Sequence, residues 1–178
     1  AISQYPSPCY TGINRRVACG VVCVMRKRME GLLTEVLFML TYREFGAECL
    51  AEVQEIYAAC GWTSYLGDEE KLRRALERSL FLLGAFEDGA LVGFVRCVGD
   101  GEHIVYVQDL IVTPALQRKG IGRELMRRVS EHFAGVRQFL LITDAEDAVS
   151  NAFYRAIGLK TTLGGYPCTA YFRDLPEA

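Results

Sequence analysis

The residue types and spacing best suited to chemistry lie between Val107 and Arg123, in the stretch VQDLIVTPALQRKGIGR. An apolar run ends at Thr113 and Pro114, a polar turn follows, and Gly120 and Gly122 open an amphipathic helix. The first turn of a helix holds four backbone N–H groups without intrahelical partners and about half a positive charge from aligned peptide dipoles, so an anion can sit there. Glycine at 120 and 122 removes the side chains that would hold a ligand away from those amides. Arg118, Lys119 and Arg123 add mobile positive charge at the rim. The pattern predicts a cradle for a small phosphorylated ligand.

Composition narrows the class. With 178 residues, 51% of them hydrophobic and 24% charged, the chain is long enough for one globular domain with a buried core. A net charge of −2 makes no electrostatic case for nucleic acid, because phosphate-backbone binders carry a clustered basic excess. Seven cysteines form no C-x-x-C pair and only two histidines accompany them, so no metal site is expected. The cysteine usage suits a reducing, cytoplasmic setting. No apolar run reaches the roughly 18–20 residues of a membrane span, so no membrane partner is expected. Arg15 and Arg16 followed by VACGVVCVM superficially resemble a secretory signal, but Arg26, Lys27 and Arg28 follow at once and that reading is rejected.

Two regions follow from the patterning. Residues 1–32 are rich in loop formers, with one short strand expected at Val21–Met25. They are expected to be an N-terminal extension that packs on the domain or on a second subunit, which makes a homodimer an expectation. Residues 33–178 form the domain. A strand is expected at Glu35–Thr41, a helix at Glu44–Cys60 and an Asp68-capped helix to about Leu80. Three strands then form a meander, Phe81–Phe86, Ala90–Val98 and His103–Val112, joined by the tight-turn pairs Asp88-Gly89 and Asp100-Gly101. The glycine-opened helix runs to about Phe133, and QFLLIT (138–143) reads as a buried strand parallel to its neighbour. A helix at Ala148–Ile157 and closing strands at Leu159–Leu163 and Cys168–Arg173 complete the order. Periodicity alone implies an α/β chain with a mixed sheet.

The loop Gln117-Arg118-Lys119-Gly120-Ile121-Gly122 resembles the Q/R-x-x-G-x-G/A loop of the GNAT superfamily of N-acetyltransferases. Its context matches as well. DLIVTP precedes it, and Phe153-Tyr154-Arg155-Ala156-Ile157-Gly158-Leu159 is similar to the family's F/L-Y-x-x-x-G-F segment. The resemblance spans residues 35–173 and implies the acyl-CoA N-acyltransferase fold, an α+β mixed sheet, mostly antiparallel, whose parallel fourth and fifth strands splay around acetyl-coenzyme A (acetyl-CoA). It implies that Gln117, Arg118, Lys119, Gly120, Ile121, Gly122 and Arg123 hold the pyrophosphate. Leu110, Ile111 and Val112 would bond the pantetheine arm through their backbone at a bulged strand end, one N–H facing the thioester oxygen. Tyr154 would protonate the leaving thiolate, which a phenol of ordinary pKa near 10 can do at pH 7.

Some assignments stay open. Asp109 could relay a proton from the amine through water, as similar acidic residues do in some relatives, or could be a carboxylate paired with a basic residue. A partly neutral amine could also need no base. Many relatives carry asparagine where this chain has Asp147, seven residues before Tyr154, so Ser150 or Asn151 is the candidate for that cofactor contact. Trp62, Tyr65, Tyr166 and Tyr171 are acceptor-site candidates, because loop aromatics are costly to expose without a partner. The G-W-T-S-Y and Q-D-L-I-V-x-P segments resemble the branch containing plant serotonin and arylalkylamine acetyltransferases. The expected acceptor is a small aromatic or alkyl primary amine, or a protein amine, attacking the thioester directly in a ternary complex. Neither Cys97 nor Cys168 has an activating context for an acyl carrier. A non-catalytic acyl-CoA sensor on the same fold is the alternative.

Overall fold

The computed structural model describes residues 23–27, 36–165 and 167–171. Six strands form one sheet in sequential order: β1 (Cys23–Lys27), β2 (Val36–Glu44), β3 (Phe81–Glu87), β4 (Ala90–Gly99), β5 (Ile104–Val112) and β6 (Gln138–Leu140). All neighbours are antiparallel except β5 and β6, which are parallel. The meander needs only tight turns, and Asp88 and Gly89 supply them with φ of 49° and 91°, the positive pair a type I′ hairpin requires. The β1 strand brings part of the N-terminal region into the sheet, pairing with β2 from Cys23↔Leu40 to Lys27↔Val36.

Helices cover both faces. On one lie α1 (Leu50–Ala59) and α2 (Glu69–Glu77), which bury Leu50, Val53, Ile56, Tyr57, Leu72 and Leu76 against Phe86, Leu91, Phe94 and Ile111. Asp68 caps α2 by accepting from the Lys71 N–H at 2.9 Å. On the other face α3 (Ile121–His132) packs Ile121, Leu125, Met126 and Val129 against Val95, Cys97, Val105 and Val107. Phe153 of α4 (Ala148–Ala156) leans on the same cluster.

One irregularity in β5 decides which face each later side chain meets. Arg96 is paired with Asp109 but Cys97 with Val107, so Gln108 is an extra residue on β5. Before this bulge Val105 and Val107 point to the α3 face; after it Asp109 and Ile111 point to the α1 face and Leu110 and Val112 to the α3 face. Were the same sequence to run through here without a bulge, the strict two-residue period would send Asp109 into the α3 core.

The chain departs from the sequence reading near its end. Only Gln138–Leu140 of QFLLIT is strand, and Leu140 and Ile142 stand exposed at 38% and 49%. The segment after Leu159 turns instead of pairing, with Thr161 O accepting from both Gly164 N and Gly165 N, so no closing strand lies on β6 among the described residues. Among the described residues β6 therefore has no outer neighbour, and Leu140 and Ile142 stand uncovered there. Helix α2 also stops at Glu77, short of Leu80, whose N–H bonds Cys97 O instead.

The bulge makes a prediction about length against identity. Deleting Gln108 would straighten β5 yet leave Asp109 opposite Arg96 on the α1 face, so in urea denaturation it should cost less than the roughly 3–5 kcal/mol of breaking that buried pair. Gln108→Ala should stay within about 1 kcal/mol, since the extra residue is kept.

Candidate active site

The loop from Thr113 to Gly120 tightens through a single 3₁₀ turn at Pro114–Leu116, then Arg118 and Gly120 adopt φ of 61° and 88°. Gly120 is the N-cap of α3, and no side chain caps that helix. The first backbone bond at its start runs from Glu124 N to Gly120 O, at 3.0 Å. The N–H groups from Arg118 to Arg123 consequently have no partner among the described residues. A Cβ built on Gly120 would meet nothing within 4 Å, so the space over these amides is open. Unsatisfied N–H groups at a helix start are where an anion is held most readily.

A cavity of about 470 Å³ lies over this loop, lined by Leu110, Val112, Gln117, Arg118, Gly120, Gly122, Arg123, Val149, Ser150, Phe153 and Tyr154. The structure thus brings most of the proposed cofactor residues together. Ile111 and Ile121 do not line it, since both side chains are buried in the core, and Lys119 stands outside its wall. The side chain of Gln117 donates to Val112 O at 2.9 Å, tying the loop to the strand end. Arg123 Nη1 reaches Ala156 O only weakly, at 3.5 Å. Asn151 turns inward, its Nδ2 donating to Asp144 O at 2.7 Å and Asp147 O at 2.8 Å. Asp147 caps α4, accepting from Val149 N and Ser150 N at 3.0 Å each. A carboxylate at 147 therefore has a local reason, as an N-cap acceptor.

The cavity sits at a gap in the sheet. β5 pairs with β6 only from Ile104↔Gln138 to Tyr106↔Leu140, so Val107–Val112 runs on with no partner in β6. Tyr154 stands beside this gap, lining both the loop cavity and a second one of about 540 Å³ beneath β6. Its hydroxyl makes no hydrogen bond among the described residues. Burial raises its pKa, with the Asp147 carboxylate and Tyr106 adding to the effect, so the phenol stays protonated.

On the opposite face Asp109 is 1% exposed and both its oxygens accept hydrogen bonds. Arg96 Nε and Tyr57 Oη, the latter at 3.0 Å, donate to Oδ2, and Tyr65 Oη donates to Oδ1 at 2.9 Å. Gln108 Nε2 in turn donates to Tyr65 Oη at 3.2 Å. Burial and the Asp109 charge raise the pKa of both Tyr57 and Tyr65. The rings stack as well: Tyr57 lies 4.5 Å from Tyr65 and 5.9 Å from Trp62, all near parallel.

Of the acceptor candidates, Trp62 and Tyr65 meet in this stack. Tyr171 is 91% exposed with no ring contact among the described residues, and Tyr166 lies outside them. Arg96, Tyr57 and Gln108 belong to the cluster although the sequence reading did not single them out. A signal existed: Arg96 and Asp109 are the lone opposite charges within the apolar runs LVGFVRCV and VYVQDLIV. Adjacent buried strands with one charge each imply a pair. Cys97 is buried with its thiol pushed up to about 12 by burial, an inert state.

The family model described as acetyltransferase (GNAT) family matches residues 47–159, and the chain belongs to that family. Serotonin N-acetyltransferase 2, chloroplastic, of Oryza sativa subsp. japonica is 31% identical over 126 residues, which are 68% of this chain and 62% of the rice protein. The chain therefore spans less than two thirds of that relative. An uncharacterized ycf52-like N-acetyltransferase of Prochlorococcus marinus is 26% identical over 131 residues, 70% of each. Among solved structures, a GNAT-family acetyltransferase from Streptococcus pneumoniae TIGR4 shares 36% identity at a TM-score of 0.66, over 78% of this chain and all 100% of that one. The PaiA N-acetyltransferase of Thermoplasma acidophilum, solved with coenzyme A, shares the fold at 22% identity and a TM-score of 0.57, over 68% of this chain and 89% of that one.

The Asp109 cluster supplies a stability prediction. Arg96→Met leaves a buried carboxylate short of its counter-charge and should cost about 3–5 kcal/mol, read from urea denaturation.

Proposed function

We propose that the chain transfers the acetyl group of acetyl-CoA to a primary amine by direct attack in a ternary complex. The observation that carries this reading is the row of unpartnered N–H groups from Arg118 to Arg123, opening onto the cavity that Tyr154 also lines. These amides, with Arg118 and Arg123, fit a diphosphate. Acetyl-CoA is the substrate that supplies the thioester.

The other steps belong to this chain's residues. Leu110 and Val112 wall the passage from the loop to the gap, and the unpaired edge of β5 offers backbone groups to an extended pantetheine arm as a neighbouring strand would. A backbone N–H of Leu110–Val112 takes the charge that develops on the carbonyl oxygen. Tyr154 donates its proton to the departing sulfur. The gap connects the Tyr154 face to the Trp62 and Tyr65 face, where an amine can approach from the opposite side. Stacked aromatic rings there favour an aromatic or alkyl amine, in keeping with the serotonin acetyltransferase named among the relatives. The free thiols of Cys49, Cys60 and Cys97 support a reducing, cytoplasmic setting.

Coenzyme A should bind the purified protein in calorimetry, and acetyl-CoA with an aromatic amine should release free thiol; absence of both would end this reading. Gly120→Ala forces a side chain into a left-handed backbone at about 1–2 kcal/mol, and should weaken coenzyme A roughly tenfold or more.

Tyr154→Phe should lower kcat by roughly 10² or more with coenzyme A affinity near normal. Because the Tyr154 pKa is raised, its acid form persists above the ordinary range and is lost only as pH climbs through the raised value. The alkaline limb of kcat should therefore fall above about pH 10, and a Tyr154-dependent limb at neutral pH would contradict the assignment.

A further inference from the structure

The amine must shed a proton as it forms the amide, and the gap puts that event on the face away from Tyr154. We propose that Tyr65 takes this proton from the acceptor nitrogen and hands its own to Asp109, so that Tyr65 is a catalytic residue and Arg96 and Tyr57 position its partner. The inference rests on the acetyl-transfer reading above and specifies how the amine side of that reaction works.

Four observations carry it. The Tyr65 hydroxyl hydrogen is committed inward to Asp109 Oδ1 at 2.9 Å, so towards the acceptor side the oxygen presents only lone pairs. Gln108 Nε2 occupies one of them at 3.2 Å and leaves the other for a substrate N–H. Gln108 is itself the bulge residue on the stretch of β5 that β6 leaves unpaired, which sets Tyr65 beside the gap. Among the described residues Asp109 Oδ1 has Tyr65 as its sole donor, while Arg96 and Tyr57 hold Oδ2, so Oδ1 is the oxygen able to receive a proton. The groups facing Asp109 are thus Tyr57 from α1, Arg96 from β4 and Tyr65 from the loop after α1, with Gln108 adjoining through Tyr65.

The step balances. The nitrogen lone pair forms the bond to the acetyl carbon as the carbonyl π pair moves to oxygen. One N–H bond breaks and its proton goes to Tyr65 Oη, while the Tyr65 O–H bond breaks and that proton goes to Asp109 Oδ1. The oxygen pair returns, the carbon–sulfur bond breaks, and sulfur takes its proton from Tyr154. After the amide leaves, water entering the acceptor side takes a proton from Tyr65, and Asp109 returns its own to Tyr65; water likewise reprotonates Tyr154.

Tyr57 provides the control. It donates to the same carboxylate but is 0% exposed and cannot touch an amine. Tyr65→Phe keeps the stacked ring and removes only the hydroxyl. It should lower kcat roughly 10²-fold, with coenzyme A affinity by calorimetry unchanged, and added imidazole should restore a concentration-dependent part of the rate. Tyr57→Phe should lower the thermal midpoint, and its rate should not respond to imidazole. A second readout needs no turnover: quenching of Trp62, the one tryptophan of the chain, by phenylethylamine should be weaker in Tyr65→Phe than in Tyr57→Phe. The relay is overturned if imidazole raises both variants alike or neither, if Tyr65→Phe keeps kcat within threefold, or if the two variants bind the amine equally. Wild-type protein that binds no coenzyme A and releases no thiol overturns the broader reading instead, so the two failures are separable.

Discussion

A single buried negative charge disciplines this structure. Asp109 lies in a sheet beside Phe94 and Ile111 and beneath Tyr57 of α1, and an ionised carboxylate in such surroundings is untenable without donors. Three donors from three separate segments meet it: a guanidinium from β4, a phenol from α1 and a phenol from the loop that follows α1. Their convergence fixes the loop bearing Trp62 and Tyr65 against the strand whose free edge faces the gap. The bulge at Gln108 is the backbone device that makes this possible, because it turns Asp109 to the α1 face while leaving Val105 and Val107 in the α3 core.

The same strand serves the other face. Past the bulge, Leu110 and Val112 wall the cavity over the phosphate loop, and Val112 O accepts from Gln117 Nε2, which anchors the loop's first residue. Cys60 Sγ at the end of α1 also reaches Val112 O, at 3.5 Å. One carbonyl thus joins the end of α1, the strand end and the loop of bare amides. The cavity over the loop and the Asp109 cluster are held by one element, so their separation is set by strand geometry rather than by loop flexibility.

Much of this was legible in the sequence, and the parts that were not have physical causes. Alternation and turn pairs located β3, β4 and β5, because Asp-Gly at 88–89 and the Asp100 turn leave little choice of register. The phosphate loop was legible because it is made of backbone, and glycine spacing reports backbone directly. The side-chain commitments were not: Asn151 and Gln117 are amides that could face a ligand, and only the fold shows them spent on carbonyls of Asp144, Asp147 and Val112. QFLLIT reads as a buried strand because hydrophobicity is local, whereas burial depends on whether the chain beyond Leu159 returns to cover it. Tyr57 was hidden among the apolar helix positions, since a tyrosine on a core face looks like packing until a carboxylate is found opposite its hydroxyl.

Two tyrosines beside the gap hold their hydroxyl hydrogens differently, and nothing in their side chains distinguishes them. Burial lifts both above the ordinary phenol range, so both keep their proton at neutral pH. Tyr154 has no acceptor among the described residues, and its hydrogen is therefore available outward. Tyr65 has its hydrogen drawn inward by Asp109, so its outward face is an acceptor. The proposed acyl transfer from thiol to amine would use the donor on the side of the leaving sulfur and the acceptor on the side of the entering nitrogen. The asymmetry comes from where one carboxylate lies, and that position comes from one extra residue in β5.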